Sequence, residues 1–392
     1  MTADDPVRVM LVAAEASGDA LGAGLARALR GRLGQRLRLS GVGGERLAAE
    51  GVASPFDISE LSIFGVLEAL LAYRRVKRRI EDTVALAVQE QPDLAVLIDS
   101  WGFNVRLAKR LREVLPEPTL VKYVAPQVWA SRPARAREAA RVFDHLLSIL
   151  AFEAAHFERE GLPVTFVGAP ALARSYASAN PEEFRRSIGA GPDDLLLLVA
   201  PGSRPSEIAR VLPPFEDAVR RLKATRPGLH LVVPVASTVS AAVKERAARW
   251  PGPVHVVDGE AQKVSAMAAA DLALACSGTV TTELAAAGAP MVVGYRTGRV
   301  TYEVLKRLIR TRFITLFNIA ADEAVAPELI QQDCNGEALA RELALRLDDP
   351  ALRARQRDAQ FAALDRLGRG GPDPGQAAAD AVIRLLQEKG RL

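Results

Sequence analysis

The chain has 392 residues, room for two domains, and is 49% hydrophobic and 25% charged, a globular composition that excludes a disordered or fibrous chain. Aromatic residues at 5% and a net charge of +4 exclude a base-stacking or strongly basic surface, so no nucleic-acid partner is expected. Two cysteines (Cys276, Cys334) and four scattered histidines form no disulfide framework and no ligand spacing, so no structural zinc is expected.

The N-terminal residues lack a positive region followed by a long apolar core, and no apolar run reaches the roughly 18–20 residues that span a bilayer, so cytoplasmic residence is expected. Strand patterns then fall at 7–13, 37–42, 94–99, 120–124, 146–150 and 164–167, with helical stretches such as 19–32 and 104–114 between them. A polar segment, 174–183, reads as a linker. The alternation restarts with strands at 195–200, 230–235, 254–257, 272–275 and 291–293, and a helix at 280–287. After a Gly/Pro break at 368–375, a last amphipathic helix at 376–386 presents Ala379, Val382, Ile383 and Leu386 on one stripe. The order predicts α/β architecture: two Rossmann-like, doubly wound domains facing across a cleft, at 1–172 and 185–365, with 366–392 free to pack back on the first.

Ligands in such sheets bind beyond the carboxyl ends of strands, which singles out the turns there. The first is Glu15-Ala16-Ser17-Gly18-Asp19: neither a P-loop nor GxGxxG, it offers an acid, a hydroxyl and a glycine, or simply helix caps. Asp99 ends the apolar run 94–98, where a carboxylate between apolar walls suits a general base or else caps the next helix. Ser100, Trp101, Phe103 and Asn104 follow as candidates to line an acceptor pocket. Gln127 and Trp129, after the strand at 120–124, either contact a sugar or are structural. In the second half, Arg204 of Pro-Gly-Ser-Arg (201–204) either grips a phosphate or faces solvent. Ser277, Gly278 and Thr279 open a helix whose N-terminal N–H groups, with the hydroxyls of Thr281 and Thr282, suit an anion or merely cap; Glu283 lies about one turn in.

Cations cluster. Residues 105–141 carry nine Lys/Arg against three acids, and 68–79 and 299–312 carry five against one each. They are either solvated helix faces or a surface for anionic lipid.

Taken in order, EASGD (15–19), GVGG (41–44), LSIFGVLEAL (61–70), Asp99 with Asn104, APQVWA (125–130), FEREGLPVTFVG (157–168), PGSR (201–204), CSGTVTTEL (276–284) and FITLFN (313–318) resemble lipid-A-disaccharide synthase, an inverting glycosyltransferase of GT-B architecture. The resemblance covers nearly the whole chain. It implies transfer of a sugar from UDP-2,3-diacylglucosamine to 2,3-diacylglucosamine 1-phosphate, giving a β(1→6) disaccharide and UDP, without a metal or any other cofactor. It also implies Asp99 as the base, Arg204 with 277–279 on the diphosphate, Glu283 on the ribose and Asn318 at a position tied to activity. Peripheral docking at the cytoplasmic face of the inner membrane follows, with the apolar residues of 61–71 beside the cations of 74–79 as the docking surface. The sequence departs from the family pattern at Ala14 (usually Gly), Gly102 (usually an acid), Ser131 (Trp), Ala151 (Pro), Ala169 (His) and Phe317 (Pro), and at Asp322-Glu323, where Gly-Arg is frequent and the local charge is reversed. Two alternatives stay open: a UDP-sugar transferase or epimerase with another acceptor, and a paralogue that binds UDP-sugar or lipid without turnover.

Overall fold

The computed structural model describes residues 5–61, 66–173, 176, 178–309 and 311–392, with 66–72, 237, 300, 304, 305 and 308 described by backbone alone. The chain divides into two compact units, residues 1–173 with 371–392, and residues 174–370.

In the first unit, strands β1 (Val7–Ala13), β2 (Leu37–Val42), β3 (Leu94–Ile98), β4 (Thr119–Tyr123), β5 (His145–Ser148) and β6 (Val164–Phe166) form one sheet in the order β2-β1-β3-β4-β5-β6. Every pairing is parallel. Helices cover both faces, so β3 and β4 are buried from end to end and read as apolar runs apart from Thr119 and Lys122. The chain leaves β1 toward β2 on one side and β3 toward β4 on the other. The register pairs Ala13 with Ile98, so the turns after β1 and β3 sit side by side at the point where the winding reverses.

The second unit repeats the plan with β7 (Leu196–Ala200), β8 (His230–Pro234), β9 (Val254–Val257), β10 (Leu272–Cys276), β11 (Met291–Tyr295) and β12 (Glu328–Ile330), ordered β12-β11-β10-β7-β8-β9 and all parallel. Its winding reverses between β7 and β10, where Ala275 pairs with Ala200. Each strand expected from the sequence is present, with ends shifted by two residues at most. β12 was not expected: three residues between Pro327 and a polar run leave no apolar pattern to find.

The last helix, Pro374–Glu388, lies along the helix Ala16–Leu33 of the first unit and buries Ala378, Ala379, Ala381, Val382 and Leu386 in its core. Full burial of Val382 and Leu386 stabilises by about 2 kcal/mol each. The approach is close enough that a Cβ on Gly375 would stand 2.9 Å from the Gly24 backbone. Of the segment 174–183, residues 174, 175 and 177 lie outside the described residues. Its end is ordered, with Asn180 capping the helix Pro181–Ser187 by accepting from the Glu183 N–H.

Candidate active site

At the reversal point of the first sheet the helix Trp101–Val114 begins with Ser100 as its N-cap residue, three residues earlier than the sequence suggested. Asp99 is therefore not the cap. It occupies the left-handed region at φ 53°, Ser100 follows at φ 29°, and on the neighbouring strand Val124 stands at φ 72°. Non-glycine residues hold such conformations only where their surroundings impose them.

Two side chains impose this one. Lys122, on β4 and 1% exposed, donates from Nζ to the carbonyls of Leu97 (3.2 Å), Asp99 (2.5 Å) and Tyr123 (3.0 Å). Asn104, fully buried, donates from Nδ2 to the carbonyls of Ile98 (2.8 Å) and Asp99 (2.9 Å). The Asp99 carboxylate is left partly exposed, and its Oδ2 accepts the Ser17 hydroxyl at 2.7 Å. Burial pulls the Lys122 pKa from its ordinary 10.5 down to about 7, against the attraction of Asp99 and Glu15. Lys122 was not expected to have a role here; the signal available was a lysine in a mostly apolar, doubly covered strand.

The other residues expected here separate into two groups. Glu15 is exposed at the start of the helix Ala16–Leu33, and Gly18 is buried beneath Asp99, where a Cβ would reach the Asp99 Cβ at 3.5 Å. Asp19 and Asn104, by contrast, are buried and hydrogen-bonded to the chain's own backbone. Asp19 is 5% exposed and accepts the N–H groups of Gly44, Arg46 and Leu47, fixing the turn after β2. Gln127 is exposed. Trp129 is anchored: its indole donates to Glu153 at 2.9 Å and meets Phe152 edge-on at 5.3 Å. Glu153 also accepts the Ser148 hydroxyl, and burial raises its pKa to about 7 against these two donors.

In the second unit a cavity of about 340 Å³ opens at the carboxyl ends of β7, β8 and β10. It brings together Arg204, Ser277, Gly278, Thr279 and Glu283, as their positions after β7 and β10 predicted. Lys263, Glu260 and Met267 of the helix Glu260–Ala269 complete one wall and were not anticipated. The helix Thr279–Ala286 enters through extended Gly278 with no side-chain cap, and Thr279 and Val280, whose N–H groups have no partner within the helix, line the cavity. The facing turn is built around Glu207, 8% exposed, which accepts the N–H groups of Ser203 (2.8 Å) and Arg204 (3.2 Å) and pairs with the Arg204 guanidinium at 3.2 Å. Gly202 must be glycine there: its φ is 117° and a Cβ would stand 2.5 Å from Glu207 Oε2.

Two of the expected residues are buried outside the cavity lining. Thr282 is 4% exposed and turns away from the cavity. Asn318 is fully buried; its amide donates to the Ala326 carbonyl and Glu328 Oε1 and its oxygen accepts the Ala326 N–H, so it joins the helix Leu316–Ala321 to the approach to β12. The apolar docking segment at 61–71 lies almost wholly outside the residues whose side chains are described. Beside it Tyr73, Arg74, Arg75, Lys77 and Arg78 are exposed. Among the described residues no helix is long and apolar enough to cross a membrane.

The family model for lipid-A-disaccharide synthetase matches residues 9–370. The lipid-A-disaccharide synthase of Rhodospirillum centenum is 40% identical over 384 residues, covering 98% of this chain and 96% of its own. That of Paramagnetospirillum magneticum is 42% identical over 383 residues, covering 97% and 98%. Among solved structures, S. aureus MnaA with UDP aligns at a TM-score of 0.65 with 14% identity, over 98% of each chain. Acinetobacter baumannii MurG aligns at 0.58 with 16% identity, over 97% of this chain and all of its own. At these identities the solved structures speak for the fold, the GT-B arrangement of glycosyltransferases and epimerases.

Proposed function

The chain belongs to the lipid-A-disaccharide synthase family and is a glycosyltransferase that makes the lipid A disaccharide from a UDP-sugar donor and a lipid acceptor; from that premise we propose which groups carry the reaction and on which substrates. The donor is UDP-2,3-diacylglucosamine and the acceptor 2,3-diacylglucosamine 1-phosphate. The Asp99 carboxylate takes the proton of the acceptor's 6-hydroxyl as that oxygen attacks the anomeric carbon. The bond from that carbon to the diphosphate oxygen breaks, UDP leaves with the electron pair, and the configuration inverts to β. A positioned base of this kind typically contributes about 10²–10⁴-fold in rate.

The observation that carries the reading is the Asp99 turn. Its backbone is clamped by Lys122 and Asn104 and its carboxylate is oriented by Ser17, which is the preorganisation a base needs. Charge on the departing diphosphate is met by Arg204, Lys263 and the N–H groups opening the helix Thr279–Ala286, with Glu283 on the ribose hydroxyls. With that positive field from the protein, we read the reaction as independent of added metal. The acyl chains of both substrates favour the cytoplasmic face of the inner membrane, and the exposed cations at 74–78 suit peripheral binding there.

The test is turnover of the two lipids to UDP and disaccharide by wild type and by Asp99→Asn. The variant is expected to lose about 10²–10⁴-fold in kcat while UDP titrates with unchanged affinity. Wild-type turnover by the Asp99→Asn enzyme would remove the base, and a rate abolished by EDTA and restored by Mg²⁺ would remove the metal-independent step.

A further inference from the structure

A second cavity, of about 680 Å³, lies in the second unit beyond the carboxyl ends of β11 and β12. The helix Pro205–Thr225 borders both cavities: Glu207 faces the first, and Arg210, three residues on, lines the second. Arg296 and Arg299 line it as well, against Pro213, Tyr302 and Gln331. The mechanism above uses none of these groups.

Three features set this cavity apart from an ordinary solvated surface. Its cations are uncompensated: among the described residues none of the three arginines is paired with a carboxylate, and Glu303 is the one acid in the lining. Arg296 Nε donates to the Gln331 carbonyl (3.0 Å) and its guanidinium also lies beside the buried Cys334 thiol, while Arg210 Nη1 donates to the Ser206 carbonyl (3.3 Å). Of the three only Arg296 is half-buried, and elsewhere in this unit guanidinium groups at that burial or deeper are neutralised, as in Arg185–Asp271 and Arg226–Asp348 at 2.6 Å and Arg346–Glu342 at 2.9 Å.

The frame is also preformed. Gln331, in the left-handed region at φ 55°, accepts the Thr297 N–H at 2.8 Å and donates to the Thr297 carbonyl at 3.3 Å, locking the loops after β11 and β12 together. Finally, apolar surface from Pro213 and Tyr302 stands beside the cations. Guanidinium forks match a phosphate in charge and geometry, and apolar walls favour a phosphate carried on a lipid.

We propose that this cavity holds the phosphate monoester of the phosphorylated lipid acceptor and so selects acceptors that carry it. The inference rests on the reading of the acceptor given above. Arg210 and Arg299 are exposed, and replacing them leaves the Arg296–Gln331 frame intact. The experiment compares wild type with the Arg210→Gln/Arg299→Gln double variant on short-chain diacylglucosamine 1-phosphate and on its dephosphorylated counterpart. In the variant KM for the phosphorylated acceptor is expected to rise about 10- to 100-fold, the loss of one or two charge-assisted contacts. The donor's KM and kcat/KM for the dephosphorylated acceptor should stay within twofold. An unchanged KM for the phosphorylated acceptor, or an equal loss on both acceptors, overturns the proposal. Should wild type turn over neither acceptor, the reaction assignment falls, and direct titration then decides the cavity: weaker binding of the phosphorylated lipid by the variant supports it, and equal binding overturns it. Inorganic phosphate binding as tightly as the phosphorylated lipid would make this a free-phosphate site and overturn the acceptor assignment.

Discussion

Replacing Lys122 by Met removes a buried ammonium and little volume, and it separates the cost of that charge from its use. With a folded pKa of about 7 against an ordinary 10.5, the unfolded chain binds more protons than the folded one between those values. Wild-type stability contributed by this group therefore rises with pH through that window, by roughly 1 kcal/mol per pH unit, and below pH 7 the burial cost is present in full. The Met variant lacks the group and the rise. Subtracting variant from wild type cancels every other titration, leaving an expected increase of about 2–3 kcal/mol between pH 7 and 9.5. Urea unfolding in a Trp250→Phe background reads the first unit alone, because Trp101 and Trp129 both belong to it. The same variant should lose about tenfold or more in kcat with donor KM unchanged, since the Asp99 carbonyl keeps Asn104 but loses the lysine. A difference that stays flat with pH would show that Lys122 is buried as a full cation at every pH tested. Unchanged turnover would show that the lysine does not position the base.

Gly202→Ala forces a Cβ into Glu207 at φ 117° and should cost about 1–3 kcal/mol and weaken UDP binding at least tenfold; an unchanged UDP titration would mean this turn does not shape the donor cavity. Asn318→Ala should destabilise by about 2–4 kcal/mol, because the Ala326 N–H is left buried without its partner, while the folded fraction keeps its turnover. Lost kcat at unchanged thermal stability would return Asn318 to the reacting centre. Glu153, whose pKa is raised to about 7, makes wild-type stability fall as pH climbs from 4.5 to 7, and Glu153→Gln should remove that slope in thermal melts; equal slopes would refute a buried neutral carboxyl.

The strands were legible because parallel sheets covered on both faces write themselves as unbroken apolar runs, and the turns after them mark where ligands bind. That is why Asp99, Ser17, Arg204, Ser277, Thr279 and Glu283 could be named before any geometry was known. Polar residues folded inward could not be sorted the same way. Asp19 and Asn318 have the chemistry of ligands, and only coordinates show that backbone N–H groups and carbonyls already occupy them. Lys263 and Arg210 escaped for the opposite reason: they sit on ordinary helix faces, and strand topology alone turns those faces toward the cavities.

The departures from the family pattern can be weighed by the space each occupies. Phe317 stands in the first turn of the helix Leu316–Ala321, where proline and phenylalanine both fit, and it is fully buried. Asp322 closes that helix in the left-handed region at φ 57°, a place glycine takes freely and aspartate tolerates. Ala14 and Ala169 are buried and packed. Gly102 is exposed, and a Cβ there would meet only Arg106 Nη1 at 3.6 Å, so a carboxylate at this site has room and a cation within reach. Apart from the left-handed backbone at Asp322, which glycine would hold more easily, none of these changes strains the fold. What Gly102, Asp322 and Glu323 alter is charge, at the mouth of the Asp99 turn and beside the helix that Asn318 anchors. Any difference in rate or acceptor choice from the 40%-identical relatives should therefore follow charge-restoring substitutions such as Gly102→Asp, and not changes in packing.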